Sequence, residues 1–89
     1  MRPRYTVVLS DLAQRFLSKL TESDRRLGAQ VVRALEKLEE HPDLGEPLAG
    51  EWKGYFKYRS GRYRVLYRAE YHRLLVYVIK IGDRKNVYD

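Results

Sequence analysis

The chain has 89 residues, no cysteine, two histidines and a formal net charge of +6. That length implies one domain over residues 1–89 sharing one core. Without cysteine there is no disulfide and no thiolate nucleophile, and His41 and His72 alone supply neither a histidine-based metal site nor a two-histidine acid–base pair. No run approaches the roughly 18 apolar residues of a membrane span. Met1-Arg2-Pro3-Arg4-Tyr5 also lacks the apolar stretch of a secretory signal, so a cytoplasmic protein with no membrane partner is expected.

Tyr5-Thr6-Val7-Val8-Leu9 is β-branched and aromatic and predicts a first strand. Ser10 can cap a helix from about Asp11 to Leu20, with Leu12, Ala13, Phe16, Leu17 and Leu20 on one face. Thr21-Glu22-Ser23-Asp24 restarts the pattern. Leu27, Val31, Ala34, Leu35 and Leu38 then keep helical spacing until His41-Pro42, where proline ends it. Asp43 to Gly54 is a loop of turn formers, anchored by Leu48 and Trp52. Three strand-like runs follow, Tyr55–Arg59, Arg62–Ala69 and Arg73–Ile81. The last is apolar at both alternations, which predicts an interior strand covered on both faces. The order β-α-α-β-β-β gives an α+β fold, a helical hairpin packed on a mostly antiparallel four-stranded sheet.

Charge is divided unevenly along this order. Residues 1–50 carry eight Lys/Arg and eight Asp/Glu, whereas residues 51–89 carry ten against four, together with seven of the eight tyrosines. Cations interleaved with aromatic rings suit single-stranded nucleic acid. A two-residue turn at Ser60-Gly61 would oppose Arg59 to Arg62, Tyr58 to Tyr63, Lys57 to Arg64 and Phe56 to Val65. Alternation then gathers Lys57, Arg59, Arg62 and Arg64 on one face, with Tyr55 and Arg68 nearby, and turns Phe56, Tyr58, Tyr63 and Val65 toward the helices. Like charges placed opposite one another cost about 0.2–1 kcal/mol per pair, a cost that a phosphate-binding face would explain. The plainer reading is a solvated sheet face.

Two motifs decide between these readings. Gly61-Arg62-Tyr63-Arg64-Val65-Leu66-Tyr67, and after the last strand Gly82-Asp83-Arg84-Lys85-Asn86-Val87-Tyr88, resemble the RelE toxins of the RelE/ParE superfamily. The element order and the Leu48-Ala49-Gly50 loop extend the resemblance over essentially the whole chain. It implies the toxin of a type II toxin–antitoxin system, an endoribonuclease that enters the ribosomal A site and cuts mRNA by attack of a ribose 2′-OH on the adjacent phosphate. No metal and no small-molecule cofactor is implied. The expected partners are the ribosome with its mRNA and a cognate antitoxin, RelB-like or another small DNA-binding protein.

By the same resemblance Lys57 matches a catalytic lysine and Arg64 a phosphate-binding arginine. Arg84 matches the arginine after the last strand, and Tyr88 the terminal tyrosine at the nucleotide. Lys53, Tyr55, Arg59, Arg62, Arg68 and Lys85 are left as the surface for RNA or ribosome. Crowding by arginines would favour the uncharged lysine or the anionic tyrosine, a route to a base in a site without His or Glu. Some RelE toxins carry a second lysine where this chain has Tyr55, so Lys53, Tyr55 or a ribosomal group would have to replace it. Trp52 is read as a loop anchor, Tyr77 as a packing residue on the face of Arg64, and Asp83 as a partner of Arg84 or a turn cap. Two other functions share these features: a ParE-like DNA gyrase inhibitor, and a non-catalytic binder of nucleic acid or antitoxin.

Overall fold

In a computed structural model, which describes residues 3–83, the chain runs β1 (Thr6–Leu9), α1 (Asp11–Ser23), α2 (Arg25–Glu40), β2 (Glu46–Pro47), β3 (Tyr55–Ser60), β4 (Tyr63–Glu70) and β5 (Leu75–Asp83). The strands form one sheet in the order β1-β5-β4-β3-β2. β1 pairs with β5 in parallel, and the other pairs are antiparallel. The α+β class is as expected, but the sheet has five strands where four were predicted. The extra strand, β2, is two residues long and contains a proline. It carries no alternation to detect, and proline is tolerated there because the strand lies at an edge.

Local chemistry sets the helical hairpin. Ser10 caps α1 by accepting the Ala13 N–H at 3.1 Å, and its hydroxyl donates to the Ile79 carbonyl at 2.6 Å, fastening the cap to β5. Asp24 does two jobs: its N–H closes α1 on Leu20, and its carboxylate accepts from Arg26 and Leu27 to start α2. Only one residue therefore separates the helices, and they cross closely. Gly28 is buried where a Cβ would collide with Thr21.

Both helices lie on one side of the sheet. Ala13, Val31, Leu35 and Leu38 pack there against Tyr63, Val65, Tyr67, Val76, Val78 and Ile81. Removal of each large apolar side chain from water contributes about 1.5–3 kcal/mol. Phe16 meets Tyr63 edge-on at 5.9 Å, and Phe56 stacks on Tyr67 at 5.2 Å. Tyr67 is fully buried, but its hydroxyl has partners: it donates to Pro42 O at 2.7 Å and accepts from Gly45 N–H at 2.9 Å. It thereby ties the loop after α2 to the sheet centre, just before β2.

The prediction that β5 is interior holds, since it lies between β1 and β4. The prediction that both its faces are covered does not, because Leu75 and Tyr77 remain partly exposed on the side away from the helices. A bulge places Ile79 between the pairs Leu66–Lys80 and Tyr67–Val78, and the alternation of β5 shifts by one residue there.

Candidate nucleic-acid interface on the open sheet face

Gly61 and Arg62 form the turn between β3 and β4, one residue later than predicted. Gly61 takes φ +59°, which an L residue rarely adopts and which suits the first central position of a two-residue hairpin turn. The register moves accordingly: Arg59 opposes Arg64, Lys57 opposes Leu66 and Tyr55 opposes Arg68. The displacement is even in residue parity, so the face survives although each predicted pair changes. Lys57 is diagonal to Arg64 rather than opposite it. Arg62 is the exception: it lies in the turn, where its guanidinium grips Asp83 at 3.0 and 3.3 Å and stands 5.5 Å from the Tyr63 ring centroid. It leaves the predicted face because the turn residue does not share the strand alternation.

The side of the sheet away from the helices therefore presents Tyr55, Lys57 and Arg59 from β3 and Arg64, Leu66, Arg68 and Glu70 from β4. The bulge at Ile79 turns both Tyr77 and Lys80 of β5 to the same side, opposite Arg68 and Leu66. Among the described residues, five cations (Lys57, Arg59, Arg64, Arg68, Lys80) thus share this face with two carboxylates, Glu46 and Glu70. Glu46 of β2 pairs in register with Lys57, and its carboxylate lies 3.2 Å from Nζ. Glu70 holds Arg68 at 2.9 Å and Arg73 at 3.4 Å. The Nε atoms of Arg64 and Arg68 are buried, and neither has a hydrogen-bond partner among the described residues. A buried unpaired donor typically costs about 1–3 kcal/mol, so two on one face mark capacity left for an acceptor from outside.

Sequence reasoning missed Glu46. Its strand is too short to carry a pattern, and the expectation was a site without Glu. Only the pairing of β2 with β3, set up by the Tyr67 hydroxyl on the preceding loop, brings it to Lys57. Trp52 contacts Tyr55 edge-on at 5.4 Å, so the loop anchor also borders the face. Lys53 is exposed in the loop before β3. His41 and His72 are exposed. Arg84, Lys85 and Tyr88 lie outside the described residues, and so does the pairing with Arg84 that was one of the two readings of Asp83; Asp83 is engaged by Arg62. Among the described residues no three His, Cys, Asp or Glu side chains cluster to hold a metal, and no helix is long and apolar enough to cross a membrane.

The family model described as the ParE toxin of the type II toxin–antitoxin system parDE matches residues 7–88. Toxin RelG of Mycobacterium tuberculosis (strain ATCC 25618 / H37Rv) is 36% identical over 85 residues, spanning 94% of this chain and 95% of its own length. The chain belongs to the RelE/ParE superfamily of type II toxin–antitoxin toxins.

Solved structures agree with the fold of this toxin. The RelBE2 toxin–antitoxin complex of Mycobacterium tuberculosis superposes with a TM-score of 0.79 at 36% identity, over 91% of this chain and 99% of that one. The YoeB/ParE toxin from Agrobacterium tumefaciens matches with a TM-score of 0.76 at 20% identity, over 93% and 98% of the two chains. The isolated Escherichia coli RelE toxin gives 0.73 at 20% identity, over 89% and 83%.

Proposed function

We propose that this toxin is a cytoplasmic, ribosome-dependent endoribonuclease that cleaves mRNA in the ribosomal A site and stops translation. The observation that carries the reading is the meeting of Lys57, its carboxylate partner Glu46 and the under-satisfied Arg64 on one open, cationic face. The 36% identity to a Rel-named toxin supports it.

The reaction needs an acceptor for the 2′-OH proton, cations for the charge that develops on phosphorus, and a proton for the departing 5′-oxygen. Glu46 is the proton acceptor beside Lys57. As the 2′-oxygen bonds to phosphorus and the bond to the 5′-oxygen breaks, the products are a 2′,3′-cyclic phosphate and a 5′-hydroxyl. Lys57 carries protons to donate and places one charge beside the phosphate. Arg64 is always cationic and makes paired hydrogen bonds to phosphate oxygens, so it stabilises the pentacoordinate state. By family resemblance Arg84 adds a second cation and Tyr88 holds the nucleotide. Lys53, Arg59 and Lys85 dock ribosomal RNA or message. Arg62 belongs less to this surface than the others, because Asp83 already occupies it.

An antitoxin partner accompanies this reading. The RelBE2 complex and the Escherichia coli RelBE complex each pair a toxin with its antitoxin. A cognate antitoxin, RelB-like or another small DNA-binding protein, would neutralise this face by an acidic or amphipathic segment that covers Lys57 and Arg64 or displaces Tyr88.

The ParE name of the matching family model favours a second reading, a DNA gyrase inhibitor. Adding the protein to a translating extract and mapping message 5′ ends separates the two. Codon-phased cuts support the ribonuclease. Intact message with gyrase-trapped DNA would replace it by the second reading.

A further inference from the structure

We propose that Arg68, held between Tyr55 and Tyr77, forms a second nucleotide-binding position on the open face, which takes a base and phosphate of single-stranded RNA away from the cleavage point. The inference rests on the ribonuclease reading and deepens it.

Arg68 lies in register between Tyr55 of β3 and Tyr77 of β5, and its guanidinium carbon stands 5.9 and 5.7 Å from their ring centroids. Trp52 extends the row at one end through its edge contact with Tyr55. At the other end the row reaches Val8, which pairs with Tyr77 and is 39% exposed. A band of rings, one guanidinium and an exposed apolar side chain therefore runs across four strands, from β1 to β3.

Its position separates it from the proposed chemistry. Arg68 and Arg64 are four residues apart on one strand, about 13 Å at the usual rise. The flanking rings hold Arg68 over its own row, so the two arginines address different nucleotides. Lys57 and Leu66 occupy the row between them.

Its chemistry selects the occupant. Glu70 takes one end of the Arg68 guanidinium at 2.9 Å, while Nε is buried with no hydrogen-bond partner among the described residues. A small tilt onto a phosphate oxygen would give that donor an acceptor, a geometry that guanidinium favours. The rings on either side offer π faces, which stack on any base with little sequence preference. An acidic peptide could use the charge but would leave the rings without a role, so the row fits a nucleotide better.

Fluorescence anisotropy of a labelled single-stranded RNA hexamer against the purified full chain tests this over a range of salt. Arg68→Ala is expected to weaken binding about 5- to 100-fold and to lower the salt slope by about one. Tyr77→Leu should weaken binding while leaving the slope in place. Arg68→Lys keeps the charge and serves as the second variant should alanine disturb folding: it should retain the slope but lose most of the affinity. Arg64→Ala and Arg68→Ala should multiply when combined, as distinct positions do. Wild-type-like binding by folded Arg68→Ala and Arg68→Lys would overturn the proposal. So would absence of hexamer binding by the wild type, or Arg68-dependent binding of a polyglutamate peptide but not of RNA. The assay requires no cleavage, so uncut message in an extract would remove the ribonuclease reading without deciding this one.

Discussion

The two sides of the β3–β4 hairpin are built from alternate residues of the same two strands, yet they are finished differently. On the helix side, Tyr63, Val65 and Tyr67 are buried, and the Tyr67 hydroxyl has both a donor and an acceptor. On the open side, Lys57 and Arg68 lean on carboxylates, and two guanidinium Nε atoms are buried without partners among the described residues. Folding demands that polar groups taken from water be paired, and the first side obeys. The second side departs from that demand where positive charge is densest, as expected of a surface shaped for an external anion rather than for stability.

Substitutions can sharpen this contrast, beginning with the largest expected effect. Leu38→Ala opens a cavity in the fully buried core and should cost about 2–5 kcal/mol in urea denaturation, with little effect on cleavage by the protein that remains folded. Arg64→Ala should do the reverse, reducing message cleavage about 10²–10³-fold, the usual cost of removing one donor to a developing anion. Glu46→Gln belongs with it: loss of a general base should slow cleavage by at least ~10²-fold, and an unchanged rate would return that role to Lys57 or to the ribosome.

Tyr67→Phe tests the hinge between the two sides. Phenylalanine leaves the Gly45 N–H buried without an acceptor, which should cost about 1–3 kcal/mol. Burial pushes the Tyr67 hydroxyl up to about 12, above its ordinary value near 10. Its contribution to stability is therefore complete below pH ~10 and is lost as the pH rises from ~10 toward ~12, because the unfolded chain ionises first. Thermal melts across that range should fall steeply in the wild type and less steeply in Tyr67→Phe; parallel curves would contradict the assignment. Arg62→Ala gives the smallest effect, a melting temperature close to that of the wild type, since its ion pair with Asp83 is exposed.

How far the sequence revealed this arrangement depended on how local each cause was. Ser10, Asp24 and Pro42 mark helix boundaries through chemistry within a few residues, and the helical hairpin was legible. The face of Lys57, Arg59, Arg64 and Arg68 was legible too, because parity survives a turn displaced by one residue. Which residue opposed which was not, since it depends on whether Ser60 or Gly61 begins the turn. Arg62 was misplaced for the same reason. Glu46 and the Tyr55–Arg68–Tyr77 row were out of reach for another: the first needs β2 to pair with β3, the second needs the bulge at Ile79 to set the register of β5. Both are long-range events with no short-range signature.

The comparison is tested most directly by adjacent residues on opposite sides of β4, with thermal stability and message cleavage measured on the same preparations. Val65→Ala should lower stability by about 1–3 kcal/mol, a fall in Tm of about 4–20 °C, and still cut message below its melting temperature. Arg64→Ala should melt within about 4 °C of the wild type and cut almost nothing. If Arg64→Ala cuts normally while folded, the open face is not where the chemistry happens.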